Sequence, residues 1–234
     1  MKILIIGATH GDELLGIKVY ERLLSQRSPL LEQIDFLVGN PRAYAQKTRY
    51  TETDLNRSYG VTGDSYEQQR AREIQQYMSD SRPDLVLDMH TTNCHQPPCV
   101  ILSDLKGQAK KQFLRACHIP FVLKVKSMND IVTLGNNIIG YEVPNHLITP
   151  QLLDAIIGDI GRFINGTGGF ETKQLFAMNG KIFKSDVSTS QAKTFVNFEQ
   201  HELGFVPIMT GNNSYKRNTD YLGFKATPPE EIKV

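Results

Sequence analysis

Lys2-Ile3-Leu4-Ile5-Ile6-Gly7-Ala8 begins the chain with an unbroken apolar run closed by a glycine. A strand with one wet face alternates apolar and polar residues. A continuous run of this length reads instead as a strand buried on both faces, the habit of parallel sheets. Directly after it, residues 12–26 place Leu15, Val19 and Leu23, with Ile17 and Leu24, at helical spacing. A buried strand, a turn and an amphipathic helix make the first unit of an α/β protein.

The same alternation continues outward. Residues 34–38 form a second strand ended by Gly39-Asn40-Pro41, and residues 40–63 show no sustained period. A loop of that length inside a compact domain is usually functional or disordered. Residues 66–78 read as a polar helix, 84–89 as a third strand, 100–102 as a fourth and 106–117 as a helix. Residues 121–125 and 137–143 are strands, and Thr149-Pro150 opens a helix over 150–164 with Gly166 beyond its end. The prediction is an α/β fold whose mostly parallel or mixed central sheet is flanked by helices. Past Gly166-Thr167-Gly168-Gly169 the helical periodicity stops, and residues 174–177, 181–184, 194–198 and 204–209 are strand-like. The expected organisation is therefore an α/β domain over residues 1–166 and a small β-rich C-terminal domain over 167–234.

Composition narrows the function. A chain of 234 residues that is 40% hydrophobic can fill a real core. Its formal net charge of +1 points no strong field at nucleic acid or an acidic membrane. Any anion preference has to come from individual arginines or lysines. Three cysteines do not make a disulfide framework and suit a reducing compartment. The apolar run after Met1-Lys2 is too short for a signal peptide, and no run approaches a membrane span. The expected location is the cytoplasm.

Three segments carry chemistry. His10-Gly11-Asp12-Glu13 follows the first strand, Asp54-Leu55-Asn56-Arg57 lies in the long loop, and Asp88-Met89-His90 ends another strand. His10, Glu13 and His90 offer two imidazoles and a carboxylate, a donor set that suits Zn²⁺ and leaves a position for water. Both positions fall beyond the carboxyl ends of strands, where α/β sheets place ligands. Each segment alone has a plainer reading: Asp12 and Glu13 as an acidic helix start, Asp88 and His90 as an ordinary strand end. Asp88 is either a partner to a ligand imidazole or a loop cap. Cys94, His95 and Cys99 match no closed zinc spacing. Arg49, Asn56 and Arg57 form a fork of donors suited to a carboxylate or a developing oxyanion, or else a solvated loop. Glu142, in Gly140-Tyr141-Glu142, is within reach of a general-base role that the residues alone do not assign.

Taken in order, these motifs resemble the succinylglutamate desuccinylase/aspartoacylase family, a branch of the zinc carboxypeptidase-like superfamily. The resemblance runs through residues 7–13, Asn40-Pro41-Arg42-Ala43, Thr48-Arg49-Tyr50, Asp54-Leu55-Asn56-Arg57, Asp88-Met89-His90-Thr91-Thr92 and Gly140-Tyr141-Glu142-Val143. It implies a zinc-dependent amidohydrolase that removes the acyl group from a small-molecule N-acyl amino acid. His10, Glu13 and His90 would bind one Zn²⁺ per chain. Glu142 would be general base and then proton donor, Arg49 would polarise the carbonyl, and Asn56 and Arg57 would hold a substrate carboxylate. Tyr215 is the best match to a substrate-binding tyrosine that the family draws from its C-terminal domain. No nucleic acid or membrane is implied as a partner; a homo-oligomer is left open.

The chain departs from the family in two respects. Aspartoacylase-like members carry a further arginine upstream of the catalytic glutamate, where this chain has Val132, and no arginine occurs between Arg115 and Arg162. Lys124 or Lys126 would be a poorer fork, so a less acidic substrate than N-acetylaspartate or succinylglutamate is expected. The chain is also short for the family, so a trimmed C-terminal domain and a more open cleft are expected. Two alternatives stand beside the deacylase: a metallo-carboxypeptidase on the same scaffold, and a non-catalytic zinc-binding relative. A nucleotide site is disfavoured, because Gly7 and Gly11 do not match the phosphate-cradling pattern and Asp12-Glu13 would repel phosphate.

Overall fold

The computed structural model describes residues 1–126, 129–211 and 219–234. Its strands are β1 (Ile3–Gly7), β2 (Ile34–Val38), β3 (Leu85–Thr92), β4 (Cys99–Leu102), β5 (Phe121–Lys124), β6 (Ile138–Pro144), β7 (Thr172–Phe183), β8 (Val206–Ile208), β9 (Tyr221–Ala226) and β10 (Glu230–Lys233). The helices are α1 (Leu15–Ser25), α2 (Pro41–Gln46), α3 (Tyr66–Ser81), α4 (Gln108–Ala116), α5 (Pro150–Ile164) and the single turn α6 (Thr189–Ala192). The strands form one open mixed sheet in the order β2-β1-β3-β6-β4-β5-β7-β9-β8, with β10 pairing β7.

The first four strands of that order are parallel to one another, as the apolar runs require. Every residue of β1 and β6 is buried. Alternation along β1 sends Ile3 and Ile5 into a core shared with α1, α4 and α5. Leu4 and Ile6 enter the opposite core, against Ala71 and Ile74 of α3. Each such aliphatic side chain contributes on the order of 2 kcal/mol by leaving water. Direction reverses between β6 and β4, which pair antiparallel with Cys99 opposite Glu142.

The differences from expectation have local causes. Helix α1 starts at Leu15 rather than residue 12. Residues 10–13 form a turn instead, closed by Glu13 N–H donating to the His10 carbonyl at 3.0 Å. Gly11 makes that turn feasible: a Cβ there would lie 2.1 Å from the Ala43 carbonyl carbon, so the turn and α2 meet backbone to backbone. The long loop is not featureless. Asn40 caps α2, and Asp54 caps a short 3-10 turn over Leu55–Arg57. Strand β3 continues to Thr92, so His90 sits inside a strand and not at its end.

In the C-terminal part, the strand-like stretches at 174–177 and 181–184 belong to one strand, β7. Residues 194–198 form no strand, and of the stretch at 204–209 only residues 206–208 form one, β8. Strands β9 and β10 were not foreseen; Glu230-Glu231-Ile232-Lys233 has little apolar pattern because it lies along the outside of β7. Among the described residues, no helix is long and apolar enough to cross a membrane.

Candidate metal centre and active site

The turn after β1 and the middle of β3 bring His10, Glu13 and His90 together. One ligand atom from each lies within 4.8 Å of the others, and all three residues are buried. Nδ1 of His10 is 2.8 Å from Oε1 of Glu13, and Nδ1 of His90 is 2.9 Å from Oε2. The far side of each imidazole is also occupied. Nε2 of His10 is 3.0 Å from Oδ1 of Asp54, and Nε2 of His90 is 2.6 Å from Oδ2 of Asp88. A carboxylate behind each ring fixes its tautomer and leaves both Nδ1 atoms facing one point, the usual support for a metal-ligating histidine. Two nitrogens and a carboxylate with this backing fit a divalent cation of the zinc type.

The electrostatics agree. Burial works against protonated His10, but Glu13 and Asp54 outweigh it and hold its pKa above the ordinary value. Burial likewise opposes the His90 imidazolium, and Asp88 and Glu13 raise its pKa well above normal. Glu13, despite burial, is held far below the usual carboxylate range by both imidazoles. These groups form a tight array of opposite charge, and a metal would replace the protons on the two rings.

Glu142 lies on β6 directly beside His90 of β3. Burial pushes its carboxyl up to about 7, with the Glu13 charge adding to the effect. A carboxyl poised there changes protonation state near neutral pH, as a general acid/base must. Arg49 donates to Oε1 of Glu13 at 3.2 Å and to Oδ2 of Asp54 at 3.3 Å. Asn56 accepts the Ile131 N–H at 3.3 Å, and Arg57 donates to the Asn56 carbonyl at 2.6 Å. The ligand residues, Glu142, Arg49, Asn56 and Arg57 line one cavity of about 710 Å³. Tyr215 lies outside the described residues.

Sequence reasoning gave Asp54 no role, although it sits in a motif already singled out. It also missed Glu67, a buried residue of α3. The Glu67 carboxylate accepts from the backbone N–H groups of Thr51, Glu52 and Thr53, from the Thr51 hydroxyl and from Asn40 Nδ2. It thus anchors the segment between Arg49 and Asp54. A glutamate in the first turn of a polar helix carries no sequence mark of such a task. Cys94 lines the cavity and Cys99 pairs across the sheet with Glu142, but neither belongs to a metal-type cluster among the described residues.

Comparison with known proteins bears on the family and the fold. The family model described as the succinylglutamate desuccinylase/aspartoacylase catalytic domain matches residues 1–144. An N-acyl-aromatic-L-amino acid amidohydrolase (carboxylate-forming) of Xenopus laevis is 32% identical over 141 residues, 55% of this chain and 44% of that protein. The aspartoacylase of Mus musculus is 31% identical over 142 residues, 53% of this chain and 46% of that one. The matches thus span less than half the length of these relatives. Two solved structures share the fold. The succinylglutamate desuccinylase of Chromobacterium violaceum has a TM-score of 0.73 at 18% identity, covering 98% of this chain and 84% of that one. Murine aminoacylase 3 has a TM-score of 0.70 at 18% identity, covering 100% and 97%.

Proposed function

The chain belongs to the succinylglutamate desuccinylase/aspartoacylase family, and from that premise we propose that it is a zinc-dependent deacylase cleaving the amide bond of an N-acyl amino acid. The observation that carries this reading is the convergence of both imidazole Nδ1 atoms on Glu13, with Glu142 on the neighbouring strand. Residues 1–166 carry the hydrolytic machinery in this proposal, and 167–234 form a small β-rich part against it.

His10, Glu13 and His90 would hold one Zn²⁺, which when bound supplies a Lewis acid toward water and the scissile carbonyl. Glu142 takes a proton from the attacking water, its raised pKa matching that task. It then passes the proton to the amide nitrogen as the C–N bond breaks, releasing a carboxylic acid and an amino acid. Arg49 faces the developing oxyanion and stabilises it. Asn56 and Arg57 grip the substrate carboxylate, and Tyr215 is proposed to join them. Asp54 and Asp88 keep the two ligand imidazoles in one tautomer and orientation. The free thiols Cys94, Cys99 and Cys117 suit a cytoplasmic protein.

The test is amine release from a panel of N-acyl amino acids and short peptides, with metal content measured on the same sample. Release from acyl amino acids, lost with chelator and restored by zinc, is the expected result. Cleavage of peptides alone would move the protein to the carboxypeptidases. Tight zinc with no turnover would make it a binding relative.

A further inference from the structure

The chain has six histidines. Four of them have a ring nitrogen within hydrogen-bond distance of an oxygen: His10 and His90 in the metal centre, His118 on Asp159 and His201 on Thr194. The other two, His95 and His146, are exposed, and among the described residues neither ring has such a partner. They meet each other instead. Their ring centroids lie 4.7 Å apart, with the planes tilted by 43°.

That geometry is close to the one in the proposed zinc centre. His10 and His90 have centroids 5.2 Å apart and planes tilted by 56°. Two imidazoles that share one ion at about 2.1 Å from each nitrogen, near the tetrahedral angle, bring their centroids to about 5 Å. Neutral imidazole is the commonest metal ligand among the side chains.

The sheet brings the two rings together. Strands β3 and β6 are parallel neighbours whose last register pair is Thr92 with Pro144. The loop after β3 carries His95, and the 3-10 turn Asn145–Leu147 after β6 carries His146. Across the same gap Asn145 Nδ2 donates to Oδ1 of Asn93 at 2.8 Å. The Asn197 side chain donates to the His95 carbonyl at 2.8 Å and holds that loop from the other side. Asn93, Cys94 and Asn145 line the cavity of the metal centre, so the histidine pair stands beside that cavity. The spacing of Cys94, His95 and Cys99 matched no zinc pattern because the partner ring comes from a different loop.

We propose that His95 and His146 form a second site for a divalent transition metal, with water completing the coordination, and that the bound ion ties the β3–β4 loop to the turn after β6. Two protein ligands make a weaker site than the three of His10, Glu13 and His90, so this one fills last. The proposal requires neither the deacylase activity nor its substrate.

The test titrates zinc chloride into metal-free protein by calorimetry. The parent should take two ions per chain, the second at least about tenfold more weakly than the first. His95→Ala and His146→Ala should each keep the first ion and lose the second. Both side chains are exposed, so each variant should melt in chelator at the parent's midpoint. Amide hydrogen exchange in residues 93–96 and 145–147 should slow when the parent receives its second equivalent, and in neither variant.

A second ion that survives either substitution, or exchange unchanged by the second equivalent, overturns the proposal. A single ion that survives both substitutions overturns it and leaves the metal centre standing. A single ion lost in both variants upholds the histidine pair and removes the metal centre.

Discussion

Asp88 and His90 stand two residues apart on β3, and Oδ2 of the aspartate lies 2.6 Å from Nε2 of the imidazole. Strand alternation puts both on one face, so the spacing itself aims the carboxylate at the ring. The other Asp88 oxygen accepts the Thr9 hydroxyl at 2.5 Å, which ties the end of β1 to the same carboxylate. Asp88→Asn keeps the shape and removes the charge. It should weaken metal binding about 10–100-fold, read by competition with a chelating dye. Undiminished affinity would show that the pair is only structural.

Glu142→Gln should separate stability from activity. The folded carboxyl sits at about 7, above its ordinary value of 4.5. The folded state therefore holds its proton more tightly than the unfolded chain, and stability is lost as pH rises from 4.5 through about 7. Without metal, the glutamine variant should melt about 2 °C or more above the parent at pH 8. That gain should fade toward about pH 5. Turnover of the zinc-loaded variant should fall at least about 100-fold. Calorimetric melts in chelator at both pH values check the first part, and equal midpoints at pH 8 would contradict it.

Glu67 has the opposite sign. Burial opposes its charge, but the donors from Thr51, Thr53 and Asn40 hold it down to about 2. Its contribution is complete above 4.5 and is lost as pH falls from there through about 2. Glu67→Gln should cost up to about 3 kcal/mol at neutral pH. The difference from the parent should close in acid, as urea titrations at several pH values can show. Because Glu67 anchors the segment between Arg49 and Asp54, kcat should fall as well.

Arg49→Ala should lower kcat about 10²–10³-fold while bound metal stays near one per chain. Arg49→Lys should recover little, because the guanidinium reaches Glu13 and Asp54 through two different nitrogens and an ammonium is a point charge. Metal analysis beside steady-state kinetics distinguishes this from loss of the centre. Full activity in Arg49→Lys would remove the need for a fork.

Where a signal was local and repetitive, it could be read without the structure. The apolar run at residues 3–6 announces a strand buried on both faces, residues 137–143 read as a strand, and Pro150 marks the helix it opens. His10, Glu13 and His90 were legible because their side chains have a narrow chemical repertoire. What could not be read depends on contacts distant in sequence. Strand β10 exists because β7 offers it an edge. Glu67 serves loop backbone 14 to 16 residues away in the chain, and backbone N–H groups are the same at every position. Asp54 was visible as a residue, but its place behind His10 depends on a separation of 44 residues.

The division of the sheet has an evolutionary consequence. The residues proposed for bond cleavage come from β3, β6 and the turns after β1 and α2, whereas the apolar cavity residues Leu123, Met178 and Phe224 come from β5, β7 and β9. Gly11 packs against the Ala43 backbone so closely that a single methyl group would displace the metal turn. Met178 and Phe224 face the cavity from strands that hold none of the ligands. Descent can therefore retune what this scaffold accepts by exchanging residues on one flank, while selection holds the other flank nearly fixed. Divergent substrate preference among homologues should accumulate in the C-terminal strands long before the chemistry itself drifts.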